Sequence, residues 1–239
     1  ALPSSSRLLT SLTHVQRVRR AEVPDHVPEL FGWGEPVLRV LPEIDSYGPR
    51  EFPHPSGPFH SLPERTNGNT PERDYFAYLR GKPDRWLPVI KALHRQDRRG
   101  WLYSGTLDSQ TKRNLSTVGV DVLTEPADLT EMLPKVRAVI HHGGCGVTQA
   151  AIAAGVPQGV LPNHLEQQLT AARLVRLGIG TPLPIGGANA ALTAALRSLF
   201  ENNQPVRAVA NQIAESLDRL QLESVRERTL DLCETLIDS

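Results

Sequence analysis

Cysteine is scarce in this chain: among 239 residues only Cys145 and Cys233 carry thiols. Two cysteines so far apart exclude a disulfide scaffold and form no metal-ligand spacing, and they suit a reducing compartment, so a cytoplasmic location is expected. An excess of one charge is also missing. The 26 basic and 26 acidic side chains cancel, and no global basicity argues for a nucleic-acid partner. No apolar run approaches the ~20 residues of a membrane-spanning helix, and the N-terminus lacks the basic-then-apolar order of a signal peptide. Neither a membrane span nor a nucleic-acid partner is therefore expected. No internal repeat is visible. The first residue is Ala1 rather than methionine, and a truncated or processed product is the expectation.

Proline, by contrast, is plentiful and unevenly placed. Ten of the twenty prolines fall between Ala21 and Arg73, densest in "EFPHPSGPFHSLPERTNGNTPER". Such a stretch cannot hold long helices or central strands, so it reads as an extended connector with one short strand near Val37–Leu41. Before it, Ser4–Ser6 predict a helix cap, with Leu8, Leu12 and Val15 on one face of a helix reaching about Arg20. After it, strand and helix patterns alternate. Asp74–Arg80 predicts a strand, Pro83 to about Gln96 a helix, and Trp101–Gly105 a second strand. "VDVLT", "AVIHH" and "QGVLP" predict further strands, each followed by a helix. The fold class expected is α/β, a doubly wound parallel sheet of Rossmann-like type, preceded by a helix and a proline-rich connector. The domain boundary falls at 73/74. The tail predicts one helix with Val206, Val209, Ile213, Leu217 and Leu220 on a face, and another with Leu222, Val225, Leu232 and Leu236.

In an open parallel sheet, ligands bind beyond the carboxyl ends of the strands. There the chain places "IHHGGCGVTQAAIAAGVP", two histidines and three closely spaced glycines between a strand and a helix. Glycines permit close approach of the main chain, and the N–H groups of a helix start favour an anion. One strand later, "VLP" runs into "NHLEQQL", which brings Glu166 and Gln167 to the same rim. A carboxylate beside an amide both accepts and donates hydrogen bonds, as sugar hydroxyls require. Diphosphate plus polyol describes a nucleotide-sugar.

"HHGGCGVTQAAIAAGVPQGVLPNHLEQQLTAARLVRLGIG" resembles the donor-binding motif of GT-B fold glycosyltransferases of the UDP-glycosyltransferase type (family 1), in their C-terminal domain. The shared elements are a His-Gly-Gly loop, an Ala-Gly-Val-Pro turn, a strand ending in proline, an acidic residue followed by glutamine, and a Leu-Gly-x-Gly finish. "EPADLTEMLPKVRAV" is similar to the family segment that carries the base-binding loop, and "VLRVLPEIDSYGPR" to the stretch leading out of its N-terminal domain. The resemblance implies that His142, Gly143, Gly144, Gly146, Val147 and Thr148 hold the donor diphosphate. It implies that Glu166 and Gln167 grip sugar hydroxyls, and that Leu123, Thr124, Glu125 and Ala127 hold the nucleobase largely by backbone. Three positions depart from the pattern. Val147 stands where the family usually has serine or threonine, so a hydroxyl contact is lost unless Thr148 substitutes. Thr124 replaces a base-stacking tryptophan, and Ala150 a ribose-binding glutamate, of many members.

Other readings of these residues remain open at this level. Paired histidines at a strand end often bond only to backbone, and Asn163-x-x-Glu166 reads equally as a helix cap with Asn163 at the N-cap. Arg80 and Lys82 either screen phosphate or form a solvated basic pair. Cys145 reads as a small loop residue, since metal binding with His141 would need two more ligands.

The resemblance also implies two doubly wound domains, donor on the C-terminal one and acceptor on the N-terminal one, whereas the pattern here holds one. The expectation is the donor half of an inverting glycosyltransferase that moves a hexose from a UDP-sugar or TDP-sugar to a hydroxyl acceptor, the acceptor being bound by an absent N-terminal domain. No cofactor and no metal are expected. His14, in a helical pattern with no strand before it, is not a credible general base, and no catalytic residue is assigned. This chain alone is expected to be inactive and to self-associate through its open cleft face. Two alternatives stand: a non-catalytic nucleotide-sugar-binding subunit of a two-chain transferase, and a GT-B nucleotide-sugar epimerase.

Overall fold

The computed structural model describes residues 5–20, 23, 25, 40–45, 62–63, 70–105, 107–117, 119–186 and 189–201, and beyond these 208, 209, 211–213, 215, 227, 230, 231, 233 and 234. Six strands form one parallel sheet in the order β3-β2-β1-β4-β5-β6. They are β1 (Arg73–Tyr78), β2 (Gly100–Tyr103), β3 (Val120–Leu123), β4 (Val136–His141), β5 (Gln158–Val160) and β6 (Gly180–Pro182). The chain works outward from β1 to β3, then returns to pair β4 against β1. That reversal is the switch point of a doubly wound sheet, and it leaves a crevice beyond the ends of β1 and β4.

The helices are α1 (Ser5–Arg19), α2 (Pro83–His94), α3 (Ser109–Thr117), α4 (Leu129–Met132), α5 (Cys145–Ala153), α6 (Leu165–Arg176) and α7 (Asn189–Glu201). Alternation along β1 sends Tyr75 and Ala77 into a core with Trp86, Ile90 and Leu93 of α2 and Leu196 and Leu199 of α7. Phe76 points the other way, onto Leu133 and onto Ala150, Ala151 and Ala154. Small residues along α5 let that helix lie close to the sheet.

The "AGV" after α5 is a stop signal. Gly155 takes φ +68, its N–H bonds to the Ile152 carbonyl, and the Val156 N–H reaches back to Ala151. This six-to-one closure needs a left-handed residue, and Gly178 ends α6 by the same pair of bonds.

Several expectations shift. β1 stops at Tyr78 rather than Arg80, because Leu79 and Arg80 turn their N–H groups to the Tyr103 carbonyl and to His142. Of the strand expected at Val37–Leu41, residues 37–39 lie outside the described residues, and Val40 and Leu41 are not extended pairs. Leu41 instead leads into a 3-10 turn over Pro42–Ile44. Leu41 and Ile44 are buried with Ile152, Leu174 and Ile213, and Arg173 Nε donates to the Glu43 carbonyl at 2.7 Å. This piece of the proline-rich segment thus packs into the core of the sheet domain. β6 and α7 were not anticipated: three residues ending in proline carry no strand pattern, although an edge strand tolerates them. On α1, Val15 is 47% exposed, so the face expected to be apolar is not buried there. In the tail, Val209 and Ile213 are helical and Ile213 is buried. Val206, Leu217, Leu220, Leu222, Val225, Leu232 and Leu236 lie outside the described residues.

Candidate functional site

A cleft of about 630 Å³ opens at the switch point. Tyr78 and Arg80 reach it from the end of β1, Ala127 and Leu129 from beyond β3, and His141, His142 and Gly144 to Val147 from the β4–α5 junction, Gly143 being buried off the lining. Asn163, His164 and Gln167 complete it from the start of α6. A larger basin of about 760 Å³ lies at the opposite ends of the strands, around Arg73, Arg99 and Asp121. It sits away from the switch point, and none of the expected site residues lines it.

The floor is set by two histidines whose ring nitrogens are all engaged. His141 is buried; its Nε2–H donates to Gln158 Oε1 at 2.9 Å and its Nδ1 accepts the Gly143 N–H at 3.0 Å. His142 Nδ1–H donates to the Leu161 carbonyl at 2.7 Å, and its Nε2 accepts the Arg80 N–H at 2.9 Å. His142 therefore ties together the loops that follow β1, β4 and β5. Its side chain shapes the cleft as a clamp on backbone, and both nitrogens are occupied in doing so.

Burial pushes the His141 imidazole down to about 4, well below the ~6.5 of an unfolded histidine. The folded protein thus keeps this ring neutral where the unfolded chain takes up a proton. Stability is complete above about pH 6.5 and declines as pH falls towards 4, by on the order of 2–3 kcal/mol from this group. Thermal unfolding between pH 4.5 and 8 is expected to show that decline. A His141→Gln variant should be less stable at neutral pH but lose this part of the slope; parallel pH profiles for the two proteins would refute the assignment.

The glycines divide their work. Gly143 has φ +89, and a Cβ there would meet the Gln167 carbonyl at 3.1 Å and Val160 at 3.2 Å. Its need for glycine is internal to the fold. Gly144 is different: it is the N-cap of α5 with φ −67 and ψ 142, where any residue fits. A Cβ at Gly144 would meet nothing within 4 Å. No side chain caps α5, and the first bond inside the helix is Thr148 N–H to the Gly144 carbonyl. The amides of the first turn, including those of Gly146 and Val147, precede that bond and give the helix start its partial positive charge.

Thr148 does not supply the hydroxyl that Val147 lacks. Its side chain is fully buried, with Oγ1 unpartnered, and it is not on the cleft lining. The first turn of α6 also differs from expectation. His164, not Asn163, is the N-cap, and Glu166 is exposed. The residue that reaches back is Gln167, whose Oε1 accepts the Asn163 N–H at 2.8 Å. With its oxygen so engaged, Gln167 has its Nε2 hydrogens left to offer as donors. Of the loop expected to hold the base, Ala127 lines the cleft, whereas Thr124 and Glu125 are exposed and Leu123 packs towards the core. Tyr78, Arg80, Leu129 and His164 are lining residues that the sequence did not single out for this cleft, apart from the basic pair containing Arg80. Cys145 opens α5 and accepts from Gln149 Nε2 at 3.0 Å. No group of three histidine, cysteine or acidic side chains that could hold a metal occurs among the described residues, and no helix there is long and apolar enough to cross a membrane.

Comparison with known proteins places this geometry. Residues 105–220 match the family model described as erythromycin biosynthesis protein CIII-like, C-terminal domain. An L-demethylnoviosyl transferase of Streptomyces niveus is 37% identical over 87 residues, covering 36% of this chain and 23% of the relative. The match therefore spans about a quarter of that relative's length. The crystal structure of the glycotransferase of kitacinnamycin superposes with a TM-score of 0.73 at 18% identity, over 96% of this chain and 62% of that one. The glycosyltransferase VinC, in complex with dTDP, superposes with a TM-score of 0.57 at 23% identity, over 80% of this chain and 50% of that one. The sheet thus has the fold of these glycosyltransferase structures, and residues 105–220, just under half of the chain, are similar to the erythromycin CIII-like C-terminal domain.

Proposed function

We propose that the cleft binds the diphosphate of a UDP- or TDP-linked sugar, and that the complete protein transfers the hexose with inversion to an acceptor hydroxyl. One observation carries this reading. The uncapped start of α5 opens onto the cleft at Gly144, where the protein itself gives no steric reason for glycine. Amides of the first turn and the helix dipole would stabilise the negative charge that grows on the departing diphosphate. Gln167 would donate to a sugar hydroxyl through Nε2, and exposed Glu166 beside it would accept. Ala127 and Leu129 offer an apolar edge for the base. His142 serves by holding three loops in register. Leu165, on the first turn of α6 beside the cleft, is 69% exposed, and self-association through this face belongs to the same proposal.

Calorimetry with TDP, UDP and the parent nucleosides tests the reading. TDP comes first because VinC was solved in complex with dTDP. The diphosphates should bind and the nucleosides should not; a chain that binds no nucleoside diphosphate would refute it.

Gln167 can be dissected further because it has two jobs. Gln167→Ala is expected to destabilise α6 by about 0.5–2 kcal/mol through loss of its contact to the Asn163 N–H. It should also lose about 1–3 kcal/mol of affinity for a TDP-sugar, with little change for TDP. Gln167→Glu keeps an acceptor for Asn163 but removes the amide donors, so it should retain stability and still lose the sugar-dependent affinity. Equal losses for TDP and TDP-sugar would assign Gln167 to capping alone.

A further inference from the structure

The basic pair just past β1, Arg80 and Lys82, is separated by the fold. Lys82 is the N-cap of α2, exposed and outside the cleft lining, whereas Arg80 is on it. The backbone of Arg80 is pinned by its N–H bond to His142 Nε2. Its guanidinium lies over the Tyr78 ring, 5.9 Å from the centroid, with Nη2 3.4 Å from the phenolic oxygen. Tyr78 is itself held, edge-on to Phe76 at 6.1 Å and tilted against Tyr103 at 5.2 Å. An aromatic ladder on the sheet therefore supports the cation at the cleft mouth.

No carboxylate among the described residues pairs with Arg80. Three arginines near the starts of strands are treated differently: Arg73 is bridged to Asp121, and Arg98 and Arg137 to Asp74. Among the described cleft residues Arg80 is the one permanent cation, and no acid faces it. With one Nη2–H given to the Tyr78 hydroxyl, the guanidinium keeps its remaining N–H donors in a planar fork, the arrangement that matches phosphate oxygens.

We propose that Arg80 is the charged contact for the donor's diphosphate, presented from the Tyr78 ring beside the start of α5. The proposal rests on the reading of this cleft as a diphosphate site. It supplies what that reading lacked: with Val147 bearing no hydroxyl, Thr148 turned inward and both His142 nitrogens engaged, no side chain named so far donates to phosphate. Arg80 meets that need from the end of β1, so the ligand would be held between a helix terminus and a cation. A nucleoside monophosphate, reaching fewer of these donors, should bind more weakly than the diphosphate.

The test titrates the 239-residue chain and its variants with TDP, TMP and thymidine at low and high ionic strength. Arg80→Gln should fold with unchanged thermal stability, since the side chain is exposed. Its affinity for TDP should fall about tenfold or more, and the dependence of TDP affinity on salt should flatten. Arg80→Lys should fall between the two, because it keeps the charge but loses the planar fork. If the wild-type chain binds TDP and Arg80→Gln binds it equally, with the same salt dependence, the role of Arg80 is overturned while the cleft reading stands. If the wild-type chain binds no diphosphate, both fall together.

Discussion

Gly144→Val is expected to abolish nucleoside diphosphate binding while leaving the sheet folded. The backbone at this position is in the extended region, where valine is at ease. A Cβ meets no atom within 4 Å, so thermal stability should stay within about 0.5 kcal/mol of wild type. The two added methyl groups would occupy the space at the start of α5 where phosphate oxygens must approach the amides. Gly143→Ala makes the informative contrast. With φ +89 and the Gln167 carbonyl 3.1 Å from the new carbon, it should cost about 1–3 kcal/mol of stability. Calorimetry and thermal unfolding of both variants separate the two glycines, one needed for the fold and one for the ligand. Unchanged TDP affinity in a folded Gly144→Val protein would remove the diphosphate from this turn.

A preparation of these 239 residues is expected to transfer no sugar, even while it binds the donor. Inverting transfer requires a base that takes the acceptor hydroxyl's proton as it attacks the anomeric carbon, and an acceptor held in line with it. In this cleft the ring nitrogens of His141 and His142 are already bonded within the protein. His164 lies on the lining as the N-cap of α6, with no acidic residue among its described lining neighbours to orient it. No carboxylate lines the described cleft, and the described residues form one sheet. Nucleotide release from a TDP-sugar in the presence of a panel of hydroxyl acceptors should therefore stay at background. Acceptor-dependent turnover on the order of 1 per second, typical of a working enzyme, would show that this chain carries its own base and acceptor site.

Much of the architecture could be read from local pattern, because strand alternation, helix stops and glycine turns are short-range chemistry. The β–α alternation from Asp74 onward, the close of α5 at Ala154-Gly155-Val156 and the glycine-rich junction after β4 each depend on a few neighbouring residues. The family resemblance was legible for the same reason, since its marks are turns and caps in fixed order. The short edge strand β6 escaped notice because three residues ending in proline have no period to detect.

What the sequence could not decide is which atoms face the cleft. Moving the N-cap of α6 from Asn163 to His164 advances the helix by one residue, about 100° of rotation. That places Gln167, not Glu166, where it reaches back to Asn163. The Thr148 hydroxyl is lost to the core because its turn of α5 packs against the sheet. The His142 ring bonds residues that lie 62 and 19 positions away in sequence. Arg80, one member of an ordinary-looking basic pair, gains its place only when β4 returns to lie beside β1. The chain alone determined a doubly wound sheet with a glycine-rich junction suited to an anion. Tertiary structure decided which side chains surround that junction, because helix phase and strand order, both set by long-range packing, point each one inward or out.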